Sequence, residues 1–404
     1  MIYSVIAASL LASASGADLF KAPPGKQIDG QYIVRLNKGE NLDALKSHIT
    51  KMREVLGEHH MEPMHVYENL ASFNTVGYSV KLSEKGLDAI MREGIVSYVE
   101  EDKTVHLSDC IQESDPDWGL VRTNVRDYNA SKTYTYDYAL GSSGLGVDAY
   151  VIDTGIYCEN DDFVNKKTGT CTFGFSSVTD IFGTPDVTDG NGHGTHVSGT
   201  IAGQTYGVAK EADLIAVKVM SDRGSGSSSN ILSGIDWVVG NAQKTGKPSV
   251  ANLSIGGGFS QTENDAIAAA TDAGVVMVVA AGNDDSDACD YSPASAPEAI
   301  TVGATGDDNA RAYYSNYGTC LDVFGPGTDI TSTWIGSPDA TNTISGTSMA
   351  SPHVCGVAAK IRSVDNSLTV EQVSQKIIAD ATQNVVTDVQ GSPNLMVYAG
   401  CDEY

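Results

Sequence analysis

The pattern of hydrophobic and polar positions changes near residue 107. Before that point, apolar and polar residues alternate at Tyr32–Leu36 and Tyr78–Leu82, which predicts strands. Apolar residues three and four positions apart predict helices over Leu42–Leu56 and Lys85–Arg92. A last strand-like run follows at Ser97–Val99. This β-α-β-α-β order, with room for a fourth strand, predicts a small ferredoxin-like α+β domain.

Beyond residue 107, short apolar runs rich in β-branched residues alternate with stretches of helical periodicity. Runs that are apolar throughout predict strands buried on both faces, and helices between them predict a parallel sheet covered by helices. We therefore expect an α/β fold for this larger part of the chain. The strand candidates are Val147–Ile152, Leu214–Val219, Val250–Ile255, Val275–Ala280 and Ala299–Val302.

The composition narrows the classes of function. Hydrophobic residues make up 41% of the 404 residues, which is typical of a globular protein and not of a disordered one. Asp and Glu number 51 against 25 Lys and Arg, and the formal net charge is −26. A chain this acidic offers no basic face to displace counterions from nucleic acid or to bind anionic lipids. We expect neither a nucleic-acid partner nor a membrane partner.

The longest apolar run lies at the N-terminus, at Ile2–Ala14, and is too short to span a bilayer. Its apolar centre, Val5–Leu11, is followed by small residues at Ala12–Ala14 and Ser15–Ala17. This arrangement predicts a signal peptide over residues 1–17 and hence a secreted, extracellular protein. A buried N-terminal helix is the alternative.

Three polar residues stand at the ends of predicted elements. Asp153 directly follows a strand, where α/β sheets place their sites, although an aspartate there can also serve a turn or cap a helix. His193 lies between two glycines at the start of an apolar helix, and with His196 it is also a weak candidate metal site. Ser348 begins a helix, where the dipole favours developing negative charge, although serine is also a common N-cap.

Together these residues indicate nucleophilic catalysis. A serine hydroxyl is a weak nucleophile until an adjacent imidazole takes its proton, and the imidazole needs a carboxylate to fix its tautomer. Asp153, His193 and Ser348 supply these three groups in that chain order. Asn283 follows the strand end Ala280–Gly282, and its amide can donate to an oxyanion together with the Ser348 N–H. A simple turn residue is the alternative for Asn283.

These motifs and others make residues 116–398 resemble a subtilisin-type serine endopeptidase of the proteinase K branch. Residues 18–107 resemble the inhibitory prodomain of that family, which assists folding and occupies the cleft until it is removed. The resemblance implies a subtilisin-like three-layer α/β domain over residues 108–404 with a mostly parallel central sheet, and prodomain cleavage between Leu107 and Ser108. The matching stretches are Asp117–Leu120, Tyr150–Ile156, Asp189–Gly199, Thr205–Lys210, Ser254–Gly258, Ala280–Asn283, Tyr291–Ala294, Asn316–Gly318, Phe324–Thr328 and Ser345–His353.

The resemblance implies a role for each motif residue. Asp153 orients His193, His193 acts as general base and then as general acid, Ser348 attacks the scissile carbonyl, and Asn283 stabilises the oxyanion. In this family the substrate binds as an additional antiparallel strand, so that backbone hydrogen bonds give affinity with little dependence on sequence. The matching positions are Gly224, Ser225 and Gly226 on one side, Ser254, Ile255 and Gly256 on the other, and Ala280, Ala281 and Gly282 in the wall of the S1 pocket.

The small S1 residues, with no charged group among them, imply a broad preference for apolar or aromatic P1 side chains. Leu107, as the last prodomain residue, agrees with that preference. Ser228 stands where the proteinase K branch has a bulky aromatic residue near S4, so we expect selectivity there to differ. The expected partners are protein and peptide substrates and the chain's own prodomain, and the expected state is a monomer.

The resemblance also implies structural calcium, bound by the carbonyls of Pro297 and Ala299 and by the carboxylate of Asp322. Hard oxygen ligands suit calcium and not zinc. A second, weaker site of the proteinase K branch is not matched, because Arg126 stands at one of its ligand positions. The acidic cluster at Asp284–Asp290 could hold another ion, although a solvated loop is the better interpretation.

Seven cysteines, an odd number, all follow residue 107, and a secreted protein can keep disulfides. Cys289 and Cys320 occupy a disulfide position of the aqualysin-like relatives, so the resemblance implies this bond. We further expect Cys158–Cys171, which closes a short loop after Asp153, and Cys110–Cys401, which joins the ends of the mature chain. Cys355 then remains as a buried free thiol. The cysteines in these expectations are Cys110, Cys158, Cys171, Cys289, Cys320, Cys355 and Cys401.

Asn129-Ala130-Ser131 is a glycosylation motif, and Asn252-Leu253-Ser254 has the same pattern within a predicted core strand. We expect modification at Asn129. Two other classes of function are consistent with parts of this pattern, a catalytically silent binding relative and a metal-dependent hydrolase centred on His193 and His196. The complete set of polar motif residues favours the serine endopeptidase over both.

Overall fold

The computed structural model describes residues 17–21, 27–57, 61–67, 76–103, 110–139, 141–179 and 182–400. The chain divides into two compact units, residues 1–107 and 108–404. Most of the predicted signal peptide, the predicted cleavage point at Leu107 and Ser108, and Cys401 lie outside the described residues. Among the helices that are described, none is long and apolar enough to cross a bilayer.

In its described residues, the first unit is a five-stranded sheet with two helices. Its strands are β1 (Asp18–Phe20), β2 (Gln27–Leu36), β3 (Pro63–Val66), β4 (Gly77–Lys81) and β5 (Val96–Lys103), and its helices are α1 (Leu42–Leu56) and α2 (Glu84–Met91). The strand order is β1-β5-β2-β4-β3, with β1 parallel to β5 and the other pairs antiparallel. The ferredoxin-like prediction is confirmed: β3 is the additional strand for which the pattern left room, and β1 extends one edge.

Local signals set the two helices of this unit. The Asn41 side chain accepts the N–H of Ala44 at 2.9 Å and begins α1, and Ser83 caps α2 in the same way. The apolar residues of both helices pack with the inner positions of the sheet in one core. Buried members of that core are Val34, Leu36, Leu45, Ile49, Met52, Tyr78, Val80, Ile90 and Val99.

The second unit contains fifteen strands among its described residues. They are β6 (Ile111–Ser114), β7 (Thr135–Tyr138), β8 (Asp148–Asp153), β9 (Cys171–Ser176), β10 (Asp213–Lys218), β11 (Ser249–Leu253), β12 (Gly257–Gly258), β13 (Val275–Ala280), β14 (Tyr291–Ser292), β15 (Ile300–Thr305), β16 (Val323–Pro326), β17 (Ile330–Thr333), β18 (Thr341–Ile344), β19 (Thr382–Gln383) and β20 (Leu395–Met396).

Nine of these strands form the central sheet, in the order β19-β20-β16-β15-β13-β11-β8-β10-β9. Every pair is parallel except β19 with β20. All five predicted strands lie in this sheet. The others pair as two-stranded ladders, β6 with β7, β12 with β14 and β17 with β18.

Helices cover both faces of the central sheet. The described helices of this unit are α3 (Trp118–Asn124), α4 (Asp161–Val164), α5 (His193–Ala202), α6 (Ser228–Thr245), α7 (Gln261–Asp272), α8 (Thr347–Val364) and α9 (Val370–Asp380). Alternate residues of β8 belong to different cores: Ala149 and Val151 pack with α5 and α8, whereas Tyr150 and Ile152 pack with α6 and α7. The predicted three-layer α/β arrangement is therefore confirmed.

Two disulfides expected from the sequence are present, Cys158–Cys171 and Cys289–Cys320. Cys110 is also disulfide-bonded, and Cys401, its expected partner, lies outside the described residues. Cys355 is buried and free, and burial raises the pKa of its thiol. A high pKa keeps the thiol protonated, so Cys355 is an inert core residue.

Candidate active site

The candidate site is built at the carboxyl end of β8, in the middle of the central sheet. Asp153 is the last residue of this strand and is fully buried. Its backbone carbonyl accepts the N–H groups of Val219 at 2.9 Å and Met220 at 3.1 Å, just beyond the neighbouring strand β10. Its carboxylate accepts the N–H of Thr154 at 2.7 Å through Oδ1. The sheet therefore fixes both the main chain and the side chain of Asp153.

His193 is the first residue of α5, and its ring faces the Asp153 carboxylate. Nδ1 lies 2.8 Å from Oδ1 and 2.9 Å from Oδ2, which assigns the Nδ1 proton to this contact. Burial by itself lowers the pKa of His193, but the charge and hydrogen bond of Asp153, joined by the charge of Asp189, outweigh it and raise the pKa above its usual value. The pair favours an imidazole that readily takes up a proton on Nε2.

Ser348 is the second residue of α8, which begins after Gly346 at the other side of the site. Its hydroxyl donates to the carbonyl of Ser254 at 3.1 Å, and the Ser254 hydroxyl donates to the carbonyl of Ser348 at 2.8 Å. These reciprocal bonds hold the start of α8 against the segment that follows β11. In this structure the Ser348 hydroxyl therefore bonds to the Ser254 carbonyl and not to the imidazole.

Asn283 lies just beyond β13, and Thr347 sets the orientation of its amide. The Asn283 Oδ1 accepts the N–H of Thr347 at 2.8 Å and the Thr347 hydroxyl at 2.9 Å. The same hydroxyl accepts the N–H of Gly282 at 3.2 Å. With Oδ1 engaged in this way, the Nδ2 donors of Asn283 are left for the cavity that Asn283 and Ser348 line.

Two cavities share the segment 254–256 in their linings, and between them they are lined by all four predicted catalytic residues. One, of about 250 Å³, is lined by Asp153 and His193 and also by Gly224. The other, of about 370 Å³, is lined by Asn283 and Ser348. Ser254, Ile255 and Gly256 line both cavities. The fold thus brings the four side chains around one short segment, although they lie on four separate parts of the sequence.

The larger cavity holds the residues predicted for the S1 pocket. Ala280, Ala281 and Gly282 form part of its lining, with Tyr291 and Asp284 nearby in the same wall. Asp284, which sequence reasoning did not place at this pocket, adds a charged group to the lining. Ser225 and Gly226, predicted to bind substrate beside Gly224, line neither cavity: the Ser225 carbonyl accepts the N–H of Ser221 at 2.8 Å.

His196, the other residue of the alternative metal site, has a structural role. Its side chain is fully buried, and Nε2 faces the carbonyls of Ile330 at 3.0 Å and Asn342 at 3.2 Å in the β17–β18 hairpin. Burial lowers the pKa of His196 to about 4, so the ring is neutral. Across the described part of the chain, no group of three or more His, Cys, Asp or Glu side chains is placed to hold a metal ion.

The predicted calcium ligands Pro297, Ala299 and Asp322 line one cavity of about 650 Å³, away from the four polar residues described above. Asp322 Oδ2 accepts the N–H of Thr301 at 2.8 Å, and burial raises the pKa of this carboxyl to about 6. Asp322 is partly buried, and a carboxylate that lines one cavity with two residues able to offer backbone carbonyls supplies the oxygen ligands that hard cations prefer. The residues present therefore fit a calcium ion.

Three residues that sequence reasoning did not select take part in the site. Thr347 holds the Asn283 amide, while Thr154 and Asp189 connect the segments that carry Asp153 and His193. The sequence contains a local signal for Thr347: it directly precedes the candidate nucleophile, at the start of a helix, where a hydroxyl can contact the neighbouring site residues. Thr154 and Asp189 are 35 residues apart, so no local pattern indicates their contact.

Comparisons with known proteins agree with this geometry. Residues 146–397 match the Subtilase family, and residues 31–108 match the Peptidase inhibitor I9 family. The chain is 43% identical to Subtilisin-like protease 2 of Pseudogymnoascus destructans, over 93% of this chain and 91% of that protein. It is 40% identical to Alkaline protease 1 of Emericella nidulans, over 98% and 97% of the two chains.

A solved structure is also similar. The crystal structure of a cold adapted subtilisin-like serine proteinase superposes with a TM-score of 0.65 and is 41% identical, covering 70% of this chain and 98% of that one. The uncovered part of this chain is close in size to the first unit, which the inhibitor family matches separately. The chain belongs to the subtilase family and is a serine protease with an N-terminal I9 inhibitor prodomain.

Proposed function

We propose that this chain is a secreted endopeptidase of broad specificity, made as a zymogen that processes itself. The observation that carries the proposal is the meeting of the Asp153–His193 pair with Ser348 and Asn283 around Ser254–Gly256. The family match supports peptide-bond hydrolysis, and the site residues supply the groups that this reaction needs.

In the first step, the Ser348 side chain turns from the Ser254 carbonyl towards His193. Its proton passes to Nε2 as Oγ bonds to the scissile carbonyl carbon, and the carbonyl electron pair moves onto oxygen. The Asp153 carboxylate accepts the hydrogen bond from Nδ1–H and stabilises the imidazolium. When the C–N bond breaks, the imidazolium gives its proton to the leaving amine, and water then repeats the sequence on the acyl-enzyme. This cycle returns every group to its starting state.

The oxyanion of each tetrahedral intermediate is held by the backbone N–H of Ser348 and by Asn283 Nδ2. The backbone donor lies at the N-terminus of α8, where the helix dipole favours negative charge. The amide donor is oriented before substrate arrives, because Thr347 occupies Oδ1. Donors that need no reorganisation contribute most to stabilising such charge.

Substrate binds as an extended strand along Gly224–Gly226 and Ser254–Gly256, with its P1 side chain in the larger cavity. The small residues of that cavity support apolar and aromatic P1 groups. Asp284 lines the same cavity and is exposed to solvent. Its carboxylate makes no hydrogen bond to any described residue. We therefore expect acidic P1 residues to be cleaved most slowly, by an electrostatic effect that salt screens.

Residues 1–17 direct secretion, and residues 18–107 inhibit the protease intramolecularly until cleavage between Leu107 and Ser108. The I9 family match supports the inhibitory role. The disulfides agree with an oxidising, extracellular setting. Asn129 is exposed and carries the glycosylation motif, whereas Asn252 is fully buried and is not modified. The mature enzyme acts as a monomer on proteins and peptides.

Pro297, Ala299 and Asp322 would hold a structural calcium ion, which would supply positive charge beside the Asp322 carboxylate. These residues line a cavity other than the two that hold Asp153, His193 and Ser348, so the ion would have no part in the chemistry.

The test is Ser348→Ala in the full-length chain, with Ser345→Ala as the matched control. Ser345 is an exposed serine three residues earlier whose hydroxyl contacts Asp329. We expect the Ser348 variant to remain an unprocessed precursor that does not react with a serine-directed covalent inhibitor, and the Ser345 variant to mature normally. Normal maturation of purified Ser348→Ala would contradict self-processing by this serine.

A further inference from the structure

Asp189 lies in the loop before α5 and has no part in the chemistry described above. Its side chain is 7% exposed, and its carboxylate accepts five hydrogen bonds. Oδ1 accepts the N–H groups of Asn191 at 3.0 Å and Gly192 at 2.9 Å, and the hydroxyl of Thr154 at 2.9 Å. Oδ2 accepts the N–H of Thr195 at 3.0 Å and the Thr195 hydroxyl at 2.6 Å. Few neutral side chains could satisfy five donors at once.

These donors come from the two segments that must meet for catalysis. Thr154 directly follows Asp153, and its hydroxyl oxygen also accepts the N–H of Gly194 in α5 at 3.0 Å. Thr195 belongs to α5, and its hydroxyl oxygen also accepts the N–H of Tyr157, in the loop after β8, at 2.9 Å. Each hydroxyl thus bridges from one segment to the other, and the carboxylate fixes both hydroxyls.

The same network caps the helix that carries the imidazole. Helix α5 begins after Gly192, which has no side chain to accept the first N–H groups. The N–H of His193 is accepted by Asn191 Oδ1 at 3.2 Å, and the next two N–H groups of the helix are accepted by Thr154 Oγ1 and Asp189 Oδ2. Every donor at this helix start is therefore satisfied by a chain of contacts that ends on Asp189.

The charge of Asp189 acts in the same direction as that of Asp153. An imidazolium at a helix N-terminus is disfavoured by the helix dipole, and burial disfavours it further. Asp153 opposes both effects by direct contact, and the charge of Asp189 adds to it in raising the pKa of His193.

We propose that Asp189 is a positioning residue for peptide-bond hydrolysis: it holds the β8 end with Asp153 and the start of α5 with His193 in fixed register, and its charge supports the imidazolium. The proposal rests on the roles proposed for Asp153, His193 and Ser348. Asp189 acts through these residues, since its bonds are to Thr154, Asn191, Gly192 and Thr195 and not to the imidazole.

The first test is Asp189→Asn, which keeps the shape of the side chain but turns an amide NH₂ towards groups that are themselves donors. We expect kcat to fall by about 10²-fold, because a misplacement of about 1 Å among reacting groups has an effect of this size. We expect KM to change by less than about threefold, since Asp189 lines neither substrate cavity. Rates are normalised to active enzyme by titration with a serine-directed covalent inhibitor.

The pH profile separates positioning from a general loss of stability. Without the Asp189 charge, the acidic limb of kcat/KM moves to lower pH, because the imidazole then loses its proton more easily. Thr195→Val removes both hydrogen bonds of that hydroxyl, to Asp189 and from the Tyr157 N–H, and keeps the Asp189 charge, so it lowers kcat and leaves the limb in place. Asp339→Asn is the control: this exposed carboxylate accepts the Ser337 hydroxyl at 2.7 Å, and its replacement should leave both readouts unchanged.

A variant that fails to mature is tested in the precursor. In the full-length Ser348→Ala background, the Nδ1 proton of His193 is followed by NMR over pH, with and without Asp189→Asn. A lower titration midpoint, or loss of the hydrogen-bonded Nδ1 signal, supports the proposal. An unchanged midpoint and signal, or wild-type kinetics in Asp189→Asn, overturns it. Full activity in Ser348→Ala would instead overturn the proposed function, so the two failures are distinct.

Discussion

The two units are the inhibitory unit, residues 1–107, and the catalytic unit, residues 108–404. The buried charged groups at the catalytic site have several hydrogen-bond partners each, whereas a buried imidazole of the inhibitory unit has one. In the catalytic unit, Asp153 and Asp189 are buried among several donors, and Lys218 is fully buried between the Thr154 carbonyl and Asp222. In the inhibitory unit, the buried imidazole of His48 contacts one partner, the Tyr78 hydroxyl at 3.1 Å, and its Nδ1 has none among the described residues. Unpaired polar atoms in a core reduce stability. Buried atoms without a described partner occur in both units, His196 Nδ1 among them, so the contrast is between the two buried carboxylates of the catalytic site and His48.

Covalent bonds follow the same division. All seven cysteines lie in the catalytic unit, and none lies in residues 1–107. Cross-links that constrain the unfolded chain therefore stabilise the catalytic unit alone. Under the proposed function, the catalytic unit needs a fold that opens rarely, whereas the inhibitory unit must be opened and digested. The two units therefore differ in durability, and this difference can be tested one contact at a time.

The largest effect is expected from Asp153→Asn. The amide keeps the packing of the side chain but favours the wrong imidazole tautomer, and the equivalent change in other serine proteases lowers kcat by about 10⁴-fold. Because the amide oxygen can still accept the Thr154 N–H and the amide NH₂ can donate to the other imidazole tautomer, we expect little change in the melting temperature. Activity is measured by peptide hydrolysis and stability by calorimetry, with Asp161→Asn on the short helix α4 as the control. A large loss of stability with activity retained would reverse this assignment of roles.

How far the sequence predicted these features depends on whether the signal is local. Helix α1 was predicted with the observed bounds, Leu42–Leu56, because its apolar spacing and the Asn41 cap are neighbours in the chain. Strand β13 was likewise predicted with its observed bounds. The edge strand β9 was missed because Cys171–Ser176 is only partly buried, so its pattern lacks the apolar run of the central strands. Strand β16 is four residues long and ends in Gly325-Pro326, which favours a turn.

The candidate site divides in the same way. Motifs carried by consecutive residues indicated Asp153, His193, Ser348 and Asn283. The contacts that orient them could not be predicted, because each joins distant segments: the Ser348 hydroxyl bonds to a carbonyl 94 residues away, and Thr347 reaches Asn283 across 64 residues. Such bonds depend on the register of the sheet and the placement of α8, which tertiary packing sets.

The second largest effect is expected from removing a disulfide of the catalytic unit. Replacing Cys289 and Cys320 together by serine is expected to lower the free energy of unfolding of the catalytic unit by about 3–4 kcal/mol, since the bond closes a loop of 31 residues. The stability of the inhibitory unit should not change. Denaturant unfolding of the Ser348→Ala precursor, followed by hydrogen exchange in each unit, measures both. Equal destabilisation of the two units would remove the contrast in durability.

A smaller effect is expected from calcium. A chelator should lower the free energy of unfolding of the catalytic unit by about 2.7 kcal/mol relative to a calcium concentration 100-fold above Kd. Asp322→Asn should abolish this response, and Asp290→Asn, an exposed carboxylate in the acidic loop, should keep it. The melting temperature with and without calcium is the measurement. A chelator response that persists in Asp322→Asn would place the ion elsewhere.

The smallest effect is the pH dependence of the inhibitory unit. His48 is 3% exposed, and burial lowers its pKa below 6.5. The charge of Glu93 opposes this shift, and the charge of Lys51 adds to it. Lys51 and Glu93 form an ion pair with each other at 2.7 Å. Because the unfolded chain takes up the proton first as pH falls, stability is complete above pH 6.5 and is lost below it, by up to about 1.4 kcal/mol per pH unit. The catalytic histidine, whose pKa is raised, has the opposite sign: its contribution is complete at low pH and is lost as pH rises through its folded pKa.

The measurement is hydrogen exchange of the α1 amides in the full-length Ser348→Ala precursor at pH 7.5 and pH 5.5, corrected for the intrinsic exchange rate. His48→Gln keeps a partner for the Tyr78 hydroxyl without a group that titrates in this range, so it should remove the pH dependence. His65→Gln, an exposed imidazole on β3, should not. If protection of α1 is the same at both pH values in the parent chain, the unpaired imidazole costs the inhibitory unit nothing, and its lability must come from the missing cross-links alone.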